Sequence, residues 1–197
     1  MQQAQKPILL FDLDGITANL LAKWLACYNH DYDDSLAPED ITSWDWEHLV
    51  KPECGKRIYH YLSRPGFFAD LEPVPGAVDT LSHLSKRVEL VVVTASPKNA
   101  LADKTRWVEK HLPFVPRRNI VLTYRKDLVR GDFMFDDAPR NLEHFPGVRI
   151  LLDYPYNRDF HAAHRVRDWA EFARLMDRLL EERGWLERAY GPLEEHN

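Results

Sequence analysis

Short apolar runs alternate with amphipathic stretches along most of this chain of 197 residues. Ile8-Leu9-Leu10-Phe11 runs straight into Asp12-Leu13-Asp14-Gly15. A continuous apolar run of that length reads as a strand buried on both faces, as in a parallel sheet. Thr17 to about His30 follows as a helix, with Ala18, Leu21, Ala22, Leu25 and Cys27 mostly on one stripe. The polar segment His30 to Ser35 breaks it and reads as a solvated turn. Pro38-Glu39-Asp40 opens a short helical or irregular piece that carries Trp44, Trp46 and His48. A third helix is expected over Glu53 to Leu62, stopped by Arg64-Pro65-Gly66.

From Gly76 the rhythm becomes helix and strand in turn. Ala77 to Lys86 predicts a short amphipathic helix, and Val88 to Val93 a β-branched strand ending at Thr94-Ala95-Ser96. Pro97 suits the first position of a helix that runs to about His111. Strands are predicted at Asn119–Leu122, Phe133–Phe135 and Val148–Leu152, and a last amphipathic helix over Arg167 to Arg183. This order predicts an α/β fold. A Rossmann-like parallel sheet with helices on both faces forms from residues 1–17 and 76–197, and a helical segment, 18–75, is inserted after the first strand.

In an open parallel sheet, ligands bind beyond the carboxyl ends of the strands. The first strand ends in Asp12 and Asp14, whose i, i+2 spacing lets them converge. Two close carboxylates repel unless a cation intervenes, and oxygen donors suit Mg²⁺. The second strand ends in Thr94-Ala95-Ser96, a hydroxyl with backbone N–H groups at a helix start, which can cradle a phosphate. Lys126 follows the third strand and Asp136-Asp137 end the fourth. Taken singly, Thr94 or Ser96 reads as a helix N-cap, Lys126 as a surface lysine, and the aspartates as caps. Together, at four strand ends, they fit phosphoryl transfer through an aspartyl-phosphate. One carboxylate attacks phosphorus, while Mg²⁺, Thr94, backbone amides and Lys126 offset charge. A second carboxylate protonates the leaving alkoxide and then activates water.

Composition changes this picture little. The chain is 45% hydrophobic and 29% charged with a formal net charge of −5, which argues against a general surface for nucleic-acid polymers. Cys27 and Cys54 match no metal motif and are expected as free thiols. Met1 to Lys6 lack the apolar core of a signal peptide, and no run is long enough to span a membrane, so a cytoplasmic protein is expected.

The pattern Asp12-x-Asp14-Gly15, Thr94, Lys126, Asp136-Asp137 resembles the haloacid dehalogenase superfamily of phosphohydrolases. The segments Phe11–Ala18, Pro65–Ala77, Arg106–Leu112 and Leu122–Asp127 resemble the 5′(3′)-deoxyribonucleotidases within it. The resemblance implies Asp12 as nucleophile and Asp14 as general acid and base. It implies Mg²⁺ on Asp12, the main-chain carbonyl of Asp14 and the Asp136-Asp137 pair, with Asp136 ranked first. It also implies that 18–75 is a cap closing over a nucleoside monophosphate, and it suggests a homodimer. Two positions depart from the family pattern: Asn19 stands where an aspartate is common, and Leu20 where an aromatic often meets the base. Leu20, Trp44, Trp46, Phe67 and Phe68 are the candidates for a base pocket. Trp24, Tyr28, Tyr59 and Tyr61 read as packing or interface, and Arg64 and Arg125 as possible helpers toward phosphate or ribose. Two other readings remain at this point: a phosphatase for another small phosphoester such as a sugar phosphate, and a catalytically silent nucleotide-binding module.

Overall fold

The computed structural model describes residues 6–161, 164–182 and 184. Met1–Gln5, and Arg183 at the expected end of the last helix, lie outside the described residues. Six parallel strands form one sheet in the order β3-β2-β1-β4-β5-β6. They are β1 Ile8–Phe11, β2 Glu89–Thr94, β3 Ile120–Leu122, β4 Phe133–Asp136, β5 Val148–Leu152 and β6 His164–Val166. Five of these are the strands that the apolar runs predict. β1 lies between β2 and β4, with Phe11 aligned to Val92 on one side and Phe135 on the other. The strand order therefore reverses beside β1, which places the ligand crevice outside the ends of β1 and β4.

Alternation along the strands divides the core. Leu9, Phe11, Leu90, Val92, Phe133, Phe135, Ile150 and Leu152 join one large apolar cluster. Leu81 of α2 (Ala77–Leu84), Trp107 and Val108 of α3 (Leu101–His111) and Trp169, Phe172, Leu175 and Met176 of α5 (Trp169–Glu182) pack into it. Leu10, Met134 and Leu151 face the other way, onto Leu142 of the short α4 (Pro139–Leu142) and Phe145. One face is thus covered by long helices and the other by one helical turn and loops.

Between β1 and α2 the chain is helical without a strand. α1 spans Leu20–Tyr32 and begins later than the sequence suggests, because residues 13–18 are used in a tight turn in which Ala18 N–H donates to Leu13 O at 2.7 Å. Asn19 caps α1 through Ala22 N–H at 3.3 Å. The third predicted helix is a 3₁₀ helix, Gly55–Ser63. Pro97 precedes a 3₁₀ turn at Lys98–Ala100, so α3 proper begins only at Leu101.

Phe172 has no solvent exposure and stacks on Phe135 of β4, with ring centroids 4.1 Å apart. Phe172→Ala is expected to lower folding stability by about 3–5 kcal/mol, the usual cost of emptying a buried aromatic site. Urea unfolding checks this, and a loss below about 1 kcal/mol would show that the contact does not hold α5 to the sheet.

Candidate active site

Strand and turn geometry bring the predicted acidic residues together. Asp12 follows β1, and its amide donates to Phe135 O at 3.0 Å, which ties it to β4. Asp136 is the last residue of β4, and Asp137 comes next. Carboxylate oxygens of Asp12, Asp136 and Asp137 all lie within 4.8 Å of one another, and all three residues are buried. Gly15 holds a left-handed φ of +74°, and a Cβ there would sit 3.6 Å from Asp137 Oδ2. The left-handed backbone is what favours glycine at this turn beneath Asp137, since 3.6 Å is an ordinary van der Waals distance.

Lys126, 3% exposed, lies among these acids. Its ammonium is 2.9 Å from Asp12 Oδ1 and 2.7 Å from Asp136 Oδ2. Burial alone would push its pKa down, but the carboxylates of Asp12 and Asp136 outweigh that and raise it. Asp136 accepts further bonds from Ala138 N–H at 2.9 Å and Asn141 Nδ2 at 3.0 Å. Burial raises its pKa, against the pull of Lys126. Burial, with the charges of Asp136 and Asp12, pushes Asp137 up to about 8. Tyr156 donates to Asp137 Oδ2 at 2.6 Å, and Asn157 Nδ2 to Asp137 O at 2.9 Å. Tyr154 stacks on Tyr156, ring centroids 5.0 Å apart, and donates to Gly15 O at 2.7 Å. The β5–β6 connection thereby grips both acidic loops.

Asp14 pairs with the ammonium of Lys104 through Oδ2, while its Oδ1 is buried and has no hydrogen-bond partner among the described residues. Burial raises the Asp14 pKa, opposed by Lys104. Thr94 is buried at the end of β2 and lies 3.4 Å from the Lys104 ammonium through Oγ1. Ser96 Oγ donates to Pro97 O at 3.2 Å. Ala95 lines the pocket between them.

Asp12, Asp14, Ala95, Lys126 and Asp137 open into a pocket of about 360 Å³, while Thr94, Ser96, Lys104 and Asp136 lie behind its lining. Asp12, Asp14, Lys126 and Asp137 line its charged end, and Leu20, Leu21, Trp24, Trp46, Tyr59 and Leu62 its apolar end. Trp24 and Trp46 stack at 3.9 Å. Trp44, 40% exposed, crosses from the helical segment to Tyr156 at 4.5 Å, with the Arg140 guanidinium 5.1 Å from its ring. Leu20, Trp44 and Trp46, the expected base-pocket candidates, all line this cavity.

Phe67 and Phe68 do not line the pocket. Both are buried in the core; the ring of Phe67 meets the Lys23 ammonium at 4.7 Å and that of Phe68 the Lys104 ammonium at 4.8 Å. Trp24 and Tyr59, which read as packing, are walls. Arg64 is paired with Asp31 at 3.3 Å and Arg125 with Asp127 at 2.7 Å, and neither lines the pocket. Sequence reasoning passed over Lys104, Tyr154, Tyr156 and Asn157. A signal existed for the first: Lys104 shares an inward stripe with Trp107 and Val108, a place where an unpaired lysine would be costly.

The acidic cluster supplies hard oxygen donors that the Lys126 ammonium neutralises only in part, which fits Mg²⁺ rather than a softer metal. No helix among the described residues is long and apolar enough to cross a membrane. Cys27 and Cys54 are free thiols.

Residues 6–181 match the family model described as 5′ nucleotidase, deoxy (Pyrimidine), cytosolic type C protein. A 5′(3′)-deoxyribonucleotidase of Clostridium acetobutylicum is 40% identical over 174 residues, covering 88% of this chain and 97% of that one. A 5′(3′)-deoxyribonucleotidase of Bacillus subtilis is 34% identical over 87% of this chain and 99% of its own length. Among solved structures, a haloacid dehalogenase-like hydrolase of Streptococcus pneumoniae superposes with a TM-score of 0.58 at 10% identity, over 87% of this chain and 98% of that one. A hydrolase of Pseudomonas syringae does so with a TM-score of 0.54 at 15% identity, over 88% and 99%. The fold is that of the haloacid dehalogenase-like hydrolases, and the chain belongs to the family of cytosolic type C 5′-nucleotidases.

Proposed function

We propose that this protein is a Mg²⁺-dependent phosphomonoesterase that hydrolyses deoxyribonucleoside monophosphates. The observation that carries this reading is one pocket with a charged end of carboxylates and Lys126 and an end walled by Trp24, Trp46 and Tyr59. A nucleotide has the same two ends. The relatives named as 5′(3′)-deoxyribonucleotidases align over nearly their whole length, which favours this substrate class over a sugar phosphate.

Asp12 is the nucleophile, since Lys126 fixes its Oδ1 and the carboxylate lines the pocket. Its attack on phosphorus forms the aspartyl-phosphate and releases the nucleoside oxygen. Asp14, two residues on, gives that oxygen a proton and later takes one from the water that hydrolyses the acyl phosphate. Lys126, with Thr94 and the amides of Ala95 and Ser96, holds the phosphoryl oxygens. Asp12, Asp136 and the carbonyl of Asp14 would hold Mg²⁺, with Asp137 beside them. The ion supplies positive charge against which the anionic nucleophile and phosphate can meet. Residues 18–75 act as a cap, and Trp44 docks them on Tyr156 and Arg140 to exclude water. Two free thiols suit a reducing cytoplasm.

Phosphate release from a panel of deoxy- and ribonucleoside monophosphates and sugar phosphates tests the assignment. Deoxynucleotides are expected to lead, and Asp12→Asn to lose more than about 1000-fold in kcat, as removal of a covalent nucleophile does. Preference for sugar phosphates would sink the nucleotide reading and keep the chemistry. Binding of nucleotide with no turnover of any ester would leave the silent module.

Mg²⁺ is expected to raise Tm, because it binds the folded acidic cluster and not the unfolded chain. At a hundredfold excess over Kd the gain is about 2.7 kcal/mol, or roughly 5–10 °C at this chain length. Asp136→Asn should abolish the shift in a thermal melt, and an unchanged shift would place the ion elsewhere.

Trp44→Ala is expected to raise KM for a deoxynucleotide about fivefold to tenfold, since an aromatic contact contributes about 1 kcal/mol. Its KM for glycerol phosphate, which carries no ring to stack, should stay within about twofold. Equal effects on both substrates would remove Trp44 from base recognition.

A further inference from the structure

We propose that Lys104 is a positioning residue for the reaction, acting through Asp14 and not on the phosphate. The inference rests on the phosphomonoesterase reading above. Lys104 is 1% exposed and is not among the residues that line the pocket, whereas Lys126 is. A lysine ammonium has three N–H donors. Those of Lys104 meet Asp14 Oδ2, Ala95 O and, at 3.4 Å, Thr94 Oγ1. The Phe68 ring closes the remaining side at 4.8 Å. No donor is left over for a phosphoryl oxygen.

Lys104 is itself placed rigidly. It sits on the inward stripe of α3, one turn before Trp107, whose indole N–H donates to Leu71 O at 2.6 Å. The carbonyl it also grips belongs to Ala95, in the loop at the end of β2. One ammonium therefore ties the loop after β1 to the loop after β2. The consequence falls on the carboxylate of Asp14. With Oδ2 held by Lys104, Oδ1 is the oxygen without a partner among the described residues, which leaves it free to give and take the proton. Oδ1–H protonates the oxygen that leaves phosphorus; the carboxylate then takes a proton from water as that water's oxygen bonds to phosphorus and Asp12 is released. A carboxylate free to rotate about χ2 would present either oxygen in many poses. A fixed one keeps a single donor at a single place.

The test is a double-mutant cycle with Lys104→Met, Asp14→Asn and the two combined, in the full chain with Mg²⁺. Wild-type turnover of a deoxynucleoside 5′-monophosphate is read first. Its absence overturns the nucleotidase reading and says nothing about Lys104. Where turnover is present, Lys104→Met is expected to lose about 100-fold in kcat, the scale of a misplaced general acid. KM and the inhibition constant for inorganic phosphate should change less than about threefold, because Lys126 and the Ala95 and Ser96 amides do not bond Lys104 and keep their hold on the phosphate. In the Asp14→Asn background Lys104→Met should cost less than about threefold more, because the group it acts through is already disabled. Losses that multiply, or inhibition by phosphate that weakens more than about tenfold, would assign Lys104 to the phosphate and overturn the proposal. An unchanged kcat in Lys104→Met overturns it too. Should Lys104→Met fail to fold, Lys104→Gln, which keeps a neutral donor in the buried site, takes its place in the same cycle, with the same losses expected and the same outcomes overturning the proposal.

Discussion

Four carboxylates crowd the carboxyl ends of β1 and β4, and two buried lysines make that crowding possible. Asp12, Asp136 and Asp137 bring oxygens within 4.8 Å of one another, and burial disfavours the charge of Asp136 and Asp137. Lys126 pairs with two of these residues and Lys104 with Asp14. Removing one member of such a set leaves an uncompensated buried charge, which costs more than the set contributes when whole. The residual excess of negative charge suits a small divalent cation with oxygen ligands.

The surrounding structure keeps those charges in register. Trp169 of α5 donates its indole N–H to Ile16 O at 2.9 Å, which ties the longest helix to the loop after β1. Asn157 is 2% exposed and satisfies both Asp137 O and Leu152 O, so the ends of β4 and β5 share one amide. Arg165 in turn bonds Asn157 Oδ1 at 2.8 Å and Asp153 Oδ1 at 2.6 Å. A short edge strand thereby acts on the centre of the sheet through polar contacts and not through its hydrophobic face.

Much of this was legible in the sequence, and the exceptions have physical reasons. β1, β2, β4 and β5 read clearly because each is an apolar run buried on both faces. β6 did not, because only Val166 of His164-Arg165-Val166 is buried, and an edge strand needs little more. The acids and Lys126 were visible because each follows a strand. Lys104 was not, because it reaches the site from the middle of a helix, and helical periodicity alone marks it as a core position without saying what it faces. Phe67 and Phe68 were assigned to the pocket by residue type, yet that pair is used to cover two lysine ammonium groups from beneath. Tyr124, 72% exposed, and Tyr156 took places at the mouth that no local pattern announces, since both lie in loops whose course is set by the sheet.

On the proposed mechanism the two lysines do different work. Lys126 faces the pocket and contacts Asp12, so its charge is available both to the resting carboxylate and to a phosphate arriving between them. Lys104 is screened from the pocket and saturated by protein acceptors. Two phosphate-gripping lysines would stabilise substrate and transition state alike, which lowers KM without raising kcat. A lysine spent on the orientation of Asp14 contributes only when a proton moves, and that contribution appears in the rate of the chemical step. The apolar end of the pocket supplies the complementary part, because contacts with a distant, unreacting portion of the substrate can hold the reacting phosphorus against Asp12 while leaving the acid and its lysine undisturbed.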